Sequence, residues 1–158
     1  MVRTRSNIVN MPAETTDNPI PGNVLFHVWR ISRKAAQVLD SALEPAGLNA
    51  DEFAIYSVLR ERPVTPTELA HWMSAPITSV SSYVKRFESR GHITREINPD
   101  DRRSFRLRLT DAGLEAHRLS AECFQPVLCD VEESIGRSLE EVNTALASLG
   151  RALGETGT

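Results

Sequence analysis

Hydroxyl and cationic side chains are concentrated between residues 76 and 110 of this sequence. This window holds 8 Lys and Arg against 4 Asp and Glu, whereas the whole chain of 158 residues has a formal net charge of −3. The window therefore carries +4 and the rest of the chain −7. Because a polyanion is recognised by a local basic patch rather than by net charge, this window is the candidate surface for binding a nucleic acid.

The first half of the window predicts a helix with one polar, cationic face. Ser74 is predicted to cap this helix, Pro76 to lie in its first turn, and Ser89 to end it. At about 100° per residue, its apolar residues form a core-facing side: Ile77, Val80, Val84 and Phe87. The predicted DNA contacts are the cap and the opposite face: Ser74, Thr78, Ser79, Ser82, Lys85 and Arg86. Small side chains let a helix approach base edges while Lys and Arg reach phosphates, although a merely solvated face would look the same.

The second half of the window predicts a β-hairpin with a charged tip. Residues 93–97 and 105–109 alternate apolar and polar side chains, which is typical of two strands with one face on the core. The tip contains Asp100, Asp101, Arg102 and Arg103. Narrow minor grooves attract arginine, and a carboxylate two residues before an arginine can hold its guanidinium by paired hydrogen bonds. We therefore predict that Arg102 and Arg103 bind DNA and that Asp101 positions Arg103.

Helix signals upstream predict the elements that support this surface. Residues 1–21 contain three prolines and no apolar periodicity, so we expect a flexible arm. Residues 24–43 have apolar side chains three to four positions apart, which indicates a long helix. Capping boxes, in which a polar side chain and a Glu three residues later satisfy backbone N–H groups reciprocally, begin further helices at Asn49 and Thr65. The short helix after Thr65 and the one at Pro76 together predict a helix-turn-helix.

The last part of the chain predicts two more helices and an apolar seam. One helix runs from about Asp111 to Val131, and the other begins at a capping box of Ser138 and Glu141. Apolar residues then repeat at intervals of 4, 3, 4, 3 and 4: Ile135, Leu139, Val142, Leu146, Leu149 and Leu153. This is coiled-coil spacing over too few heptads for a free coiled coil, so the seam is expected to pack against another surface.

Residues 65–113 contain an Asp-x-Arg hairpin tip, a strand ending in Leu-Thr and two glycines: Asp101, Arg103, Leu109, Thr110, Gly113 and, after the helix at Pro76, Gly91. With these motifs, the segment resembles the winged helix of the MarR family of bacterial transcriptional regulators. It implies a mainly α-helical fold with a small β-hairpin wing, in a single domain over residues 22–158. The winged helix-turn-helix would span about 49–110. Helices at about 23–45 and 111–154 would interlock as a dimer platform.

The resemblance also implies how such a protein works. It implies a homodimer held by the last helix, through Leu139, Val142, Leu146, Leu149 and Leu153, with Arg103 in the minor groove and Asp101 as its positioner. Two recognition helices on a two-fold axis should bind a pseudo-palindrome with half-sites about 10 base pairs, or ~34 Å, apart. We expect a dimeric repressor that a small-molecule effector releases from double-stranded DNA.

The effector is the least defined part of this expectation. Helices that border the family's pocket carry an aromatic set with one cation: Phe26, Trp29, Arg30, Phe53 and Tyr56. Such a set suits a small aromatic or anionic effector. Aromatic residues on helices are also ordinary core residues, so both interpretations stay open.

Two other functions remain as alternatives. Cys123 and Cys129 lie about 240° apart on one helix and cannot pair within it, but either could make the chain a thiol-based redox sensor. A winged helix whose basic patch binds an acidic protein is the second alternative. The sequence has no metal-ligand spacing, Gly-rich phosphate loop or nucleophile elbow, so we expect no enzyme, cofactor or metal. Without an apolar run of ~20 residues or a secretion signal, we expect no membrane contact and a cytoplasmic location.

Overall fold

The computed structural model describes residues 23–156, and the predicted flexible arm, residues 1–21, lies outside the described residues. The described chain is mainly helical and contains an antiparallel hairpin, which confirms the predicted fold class. Its elements are α1 (Val24–Leu43), α2 (Ala50–Glu61), α3 (Pro66–Trp72), α4 (Ile77–Ser89), β1 (Ile93–Ile97), β2 (Phe105–Leu109), α5 (Asp111–Ile135) and α6 (Leu139–Thr156). One-turn 3-10 helices, Glu44–Ala46 and Gly136–Ser138, follow α1 and α5. None of the described helices is long and apolar enough to cross a bilayer.

The starts of α2 and α3 follow their capping signals. The Glu52 backbone N–H donates to Asn49 Oδ1 at 2.9 Å, and the Asn49 N–H donates to Glu52 Oε2 at 3.3 Å. Thr65 and Glu68 form the same reciprocal pair, at 3.1 and 2.7 Å. Both predicted capping boxes are confirmed, and each satisfies donors that have no partner in the first helical turn.

The predicted cap of α4 at Ser74 is wrong. Pro76 is the N-cap residue of α4 and makes no side-chain cap, while Ser74 lies two residues earlier with a left-handed φ of 50°. The Ser74 N–H donates to the His71 carbonyl at 3.0 Å, so Ser74 belongs to the turn that closes α3. Ser138 is the last residue of a 3-10 turn that leads directly into α6.

One buried cluster joins α2, α3, α4 and the hairpin, and we call residues 48–109 the winged lobe. Every element of the lobe contributes to this cluster: Leu48, Ile55, Tyr56, Leu59, Val64, Leu69, Val80, Val84, Phe87, Ile93, Leu107 and Leu109. The prediction that Ile77 faces the core is wrong, because α4 meets the cluster only from Val80 onward and leaves Ile77 48% exposed. Ile97, one of the alternating apolar strand residues, is 77% exposed because β1 extends beyond the cluster.

The hairpin is anchored at its base. Ile93 pairs with Leu109 and Ile97 with Phe105 in an antiparallel register. Val64, which precedes α3, exchanges two backbone hydrogen bonds with Leu107, at 3.2 and 2.7 Å. The tip of the hairpin therefore projects from a base that is bonded to the helix-turn-helix.

The glycine at the start of α5 is required by close packing. A Cβ atom on Gly113 would lie 2.1 Å from the His92 carbonyl oxygen, which no side chain tolerates. Thr110 Oγ1 accepts the Gly113 N–H at 3.1 Å and donates to the Gly91 carbonyl at 2.7 Å. The Leu-Thr-x-x-Gly pattern thus fastens α5 to the segment that connects α4 to β1.

The seam of α6 is left largely uncovered within the chain. None of residues 139–154 is buried, and the seam residues Leu146 and Leu153 are 55% and 44% exposed. By contrast, α1 and α5 pack against each other. Helix α5 continues to Ile135, somewhat past the predicted end near Val131, with Pro126 inside it.

Candidate nucleic-acid interface

Helix α4 presents the predicted polar residues to solvent. Val80, Val84 and Phe87 are buried, so the opposite face is outward, and all its predicted contacts are exposed: Thr78, Ser79, Ser82, Lys85 and Arg86. Ser74 is also exposed, in the turn before the helix. The exposed face therefore carries small hydroxyl side chains in the first turns of α4 and cations in the third.

Arg86 has a partner that the sequence does not reveal. Its Nε lies 2.7 Å from Glu52 Oε1 in an ion pair, and Arg90 Nη1 lies 3.2 Å from the same oxygen. Glu52 is only 2% exposed, and its other oxygen completes the capping box of α2. Arg86, which is predicted to bind phosphate as a free cation, therefore joins α4 to α2 through an ion pair. Its side chain is nevertheless 45% exposed.

A cleft lies beside this ion-pair cluster. It has a volume of about 520 Å³ and is bordered by α1, the start of α2 and the end of α4. Its lining includes Asp40 and Glu44 on one side and Glu52, Arg86 and Arg90 on the other. The cleft is therefore bordered both by α1, which is predicted to belong to a dimer platform, and by the helix that presents the predicted DNA contacts.

The hairpin uses most of its cations in ion pairs. Arg95 donates twice to Glu88 of α4, at 2.6 and 3.1 Å, and its guanidinium lies 4.3 Å from the Phe105 ring centre. The other two pairs join Arg106 to Asp100 and Arg108 to Glu96, each at 2.5 Å. The Arg95 pair also ties the wing to the end of α4.

Three cations of the basic window keep their charge uncompensated. Within residues 23–156, no ion pair involves Lys85, Arg102 or Arg103. All three are exposed. Lys85 lies on the outer face of α4, and the two arginines lie at the wing tip. The sequence predicts contacts to DNA at these three residues.

The wing tip is ordered by short-range hydrogen bonds. Asp101 Oδ1 accepts the backbone N–H of Arg103 at 3.0 Å, and the Asp101 carbonyl accepts the Ser104 N–H at 3.0 Å. Asn98 is buried, accepts the Asp100 N–H at 3.2 Å and donates to Ser104 Oγ at 2.8 Å. The prediction that Asp101 holds the Arg103 guanidinium is wrong, because its short side chain closes a turn on the backbone instead.

The predicted effector residues of α1 lie on its surface. Phe26 and Trp29 stack with ring centres 5.8 Å apart, and Trp29 is 59% exposed. Arg30 follows on the helix and is also exposed, whereas Phe26 is half-buried. These three residues form a surface group at the start of α1.

The predicted effector residues of α2 are packed elsewhere. Phe53 stacks on His117 of α5 at 5.2 Å and contacts Phe124 at 5.3 Å. Tyr56 is fully buried, and its hydroxyl is 2.9 Å from His92 Nδ1. Burial raises the pKa of Tyr56 to about 12. The prediction that Tyr56 lines an effector pocket is wrong, because its side chain is buried in the core of the winged lobe.

The two cysteines predicted as candidates for redox sensing are free thiols, and no metal site is formed within the described residues. Cys123 is half-buried and Cys129 is exposed, and the neighbour of Cys129 Sγ is the uncharged Gln125 Nε2 at 3.5 Å. Among the described residues, no cluster of three or more His, Cys, Asp or Glu has metal-binding geometry.

The chain is similar to known proteins over most of its length. The sequence profile of the MarR family matches residues 48–105. The multiple antibiotic resistance protein MarR of Escherichia coli K12 is 27% identical over 128 residues, which cover 79% of this chain and 85% of that protein. The uncharacterized HTH-type transcriptional regulator YdcH of Bacillus subtilis is 30% identical over 103 residues, covering 62% of this chain and 68% of YdcH. The transcriptional regulator MosR of M. tuberculosis, solved in complex with DNA, superposes with a TM-score of 0.73 at 25% identity, covering 84% of this chain and 97% of MosR.

Proposed function

Because the chain belongs to the MarR family of transcriptional regulators, we propose that it binds double-stranded DNA with α4 in the major groove and the wing tip in the minor groove. The observation that carries this proposal is the division of the basic window. Arg86, Arg90, Arg95, Arg106 and Arg108 form ion pairs inside the lobe, whereas Lys85, Arg102 and Arg103 do not. Cations without an intramolecular ion pair have none to break when they bind phosphate or a groove.

The helix face supports sequence-specific binding rather than charge attraction alone. Thr78 and Ser79 lie in the first turn of α4, where a recognition helix contacts base edges. Their hydroxyl groups can donate or accept hydrogen bonds. Lys85 lies further along the helix and would reach a phosphate. The similar MosR was solved in complex with DNA, which supports the proposal that this chain binds DNA.

We also propose that the functional form is a homodimer. The uncovered seam of α6 needs an apolar partner, and an apolar groove of about 350 Å³ lies between α1 and α5, lined by Ile31, Val38, Phe124, Leu128 and Val131 among others. A second copy would bring a second recognition helix, so the operator would be pseudo-palindromic, with half-sites about 10 base pairs apart.

Release by a small effector is the remaining part of the proposal. We place it in the cleft bordered by α1 and α4, because a molecule bound there contacts both the dimer platform and the recognition helix. Binding would then be coupled to the spacing of the two helices in the dimer. A regulator of this kind represses a promoter until its effector is present, and it acts in the cytoplasm, where the DNA is.

The test compares two arginines of the same hairpin. Arg103→Ala removes an unpaired cation, whereas Arg108→Ala removes one that Glu96 already neutralises. In duplex binding, log K decreases linearly with log salt. This decrease becomes less steep by about 0.9 for each phosphate that is no longer neutralised. Arg103→Ala should therefore make the salt dependence of a dimer less steep by about 1.8 and weaken duplex binding. Arg108→Ala should change both the steepness and the affinity less. Equal slopes for both variants would contradict the Arg103 contact, whereas no duplex binding by the wild type at low salt would favour a protein partner instead.

A further inference from the structure

The wing is fastened to α4 by a two-bond ion pair. Arg95 of β1 donates to both carboxylate oxygens of Glu88, through Nε at 2.6 Å and through Nη2 at 3.1 Å. The same guanidinium lies over the ring of Phe105 of β2, 4.3 Å from its centre. Arg95 therefore contacts both α4 and the strand opposite its own, and its planar fork makes the geometry of this link specific.

A second attachment lies at the base of the wing. Val64 exchanges backbone hydrogen bonds with Leu107, and Leu107 and Leu109 are buried in the cluster of the lobe. Further out this support ends, because Ile97 is 77% exposed. A hairpin attached only at its base can swing about it, and the link to Glu88 opposes this motion on the side of α4.

The outer part of the wing is expected to move as one unit because its tip is internally bonded. Asp101 closes a turn on the Arg103 backbone, and Asn98 donates to Ser104. At about 3.3 Å per residue, the residues from Leu107 to Arg103 span up to about 13 Å. A rotation of about 10° at the base would then displace the tip by about 2 Å, which is enough to break a hydrogen bond.

We propose that Glu88 is a positioning residue for DNA binding: by holding Arg95, it sets the angle at which the wing tip reaches the minor groove while α4 lies in the major groove. The arginines that this angle places are Arg102 and Arg103. The inference rests on the proposed function, which supplies both docking positions. Glu88 is not itself a contact to DNA, because a carboxylate repels phosphate.

The charge of Glu88 makes the proposal testable by the sign of an effect. Glu88→Ala removes a negative charge near a polyanion and releases Arg95, so electrostatics alone predicts tighter duplex binding. If the pair holds the wing, its loss instead lets the wing leave its binding angle, and binding weakens. Since a pair this exposed is weak, the correctly placed fraction should fall by about two- to five-fold in each subunit, or about 5- to 30-fold for a dimer.

The measurement is duplex affinity at one low salt concentration, with a DNA selected from a random library by the full-length wild-type protein. The control Glu96→Ala removes the same charge from β1 and releases Arg108, but this pair lies within the hairpin and does not reach α4. Glu88→Ala should bind about 5- to 30-fold more weakly than wild type. Glu96→Ala should bind as tightly as wild type or more tightly. Circular dichroism checks that both variants are folded.

A second background separates placement of the wing tip from a general effect on the lobe. In a protein that carries Arg102→Ala and Arg103→Ala there is no tip contact to place, so adding Glu88→Ala should not weaken binding further. Equal weakening in both backgrounds, no weakening in the wild-type background, or equal weakening by Glu96→Ala would overturn the inference while DNA binding stands. If the two arginine substitutions leave binding unchanged, the proposed wing contact fails, and without any duplex binding the proposed function itself fails.

Discussion

Neutralising the buried carboxylate of Glu52 is predicted to destabilise the winged lobe. Glu52 is 2% exposed, forms ion pairs with Arg86 and Arg90, and accepts a hydrogen bond from the backbone N–H of Asn49. Glu52→Gln keeps the volume of the side chain but removes its charge, and the new amide NH₂ group would face N–H donors. The variant should therefore lower the free energy of unfolding without leaving a cavity.

The size of the effect follows from the exposure of the two arginines. Removing one member of a fully buried ion pair costs about 3–5 kcal/mol, because the remaining charge has no partner. Arg86 and Arg90 are 45% and 33% exposed, so water stabilises much of their charge after the substitution. We expect a decrease of about 2–3 kcal/mol, from the two partly exposed ion pairs and the capping box. In a chain of this size, that lowers Tm by about 5–10 °C.

The matched control is Glu88→Gln, the same substitution in another glutamate–arginine pair. Glu88 and Arg95 are 32% and 49% exposed, and a pair this accessible contributes about 1 kcal/mol or less. Thermal unfolding followed by circular dichroism, at equal protein concentrations, measures both variants. A Tm for Glu52→Gln that lies within about 2 °C of Glu88→Gln would contradict the prediction, because burial of the carboxylate would then contribute nothing.

The other predictions concern the dimer and the pH dependence of stability. Leu146→Glu should weaken dimerisation by at least ~100-fold, because a charge would enter the seam in both copies. Light scattering measures this, and the control Thr144→Glu, which lies off the seam, should remain dimeric. An unchanged dimer for Leu146→Glu would exclude the seam from the interface. Burial lowers the pKa of His117 from its ordinary 6.5, so stability that is present above pH 6.5 is lost as the pH falls toward the folded-state pKa. Between about pH 7 and pH 5, His117→Gln should flatten the decline in unfolding free energy measured with urea, and an unchanged decline would contradict this prediction.

Local signals in the sequence are sufficient for most element boundaries. The capping boxes at Asn49 and Thr65 are predictable because each closes within three residues, so a short stretch of sequence contains both partners. The same holds for the alternation that predicts the hairpin and for the periodicity of α1. Ser74 is not a cap because a competing tight turn, with φ at 50°, ends α3 first.

The candidate interface is predictable as a set of exposed groups but not in its electrostatics. Composition and periodicity locate the outer face of α4 and the two arginines of the wing tip, since both depend on neighbours along the chain. They do not reveal that Glu52 binds Arg86, because these residues are far apart in sequence and meet only when α2 packs against α4. For the same reason the sequence alone does not show whether Tyr56 lies in the core or lines a pocket.

The order of amino acids specifies which side chains are available: the charges, hydroxyls and apolar repeats, and the helices and strands that carry them. Which of those side chains have partners depends on how the elements pack. Among residues 23–156, Lys85, Arg102 and Arg103 have no ion pair, whereas Arg86 and Arg108 do, and Ile77 is half exposed at the start of α4. This division arises because hydrogen bonds of caps and turns form between near neighbours, whereas ion pairing and burial depend on contacts between elements that the chain brings together only on folding.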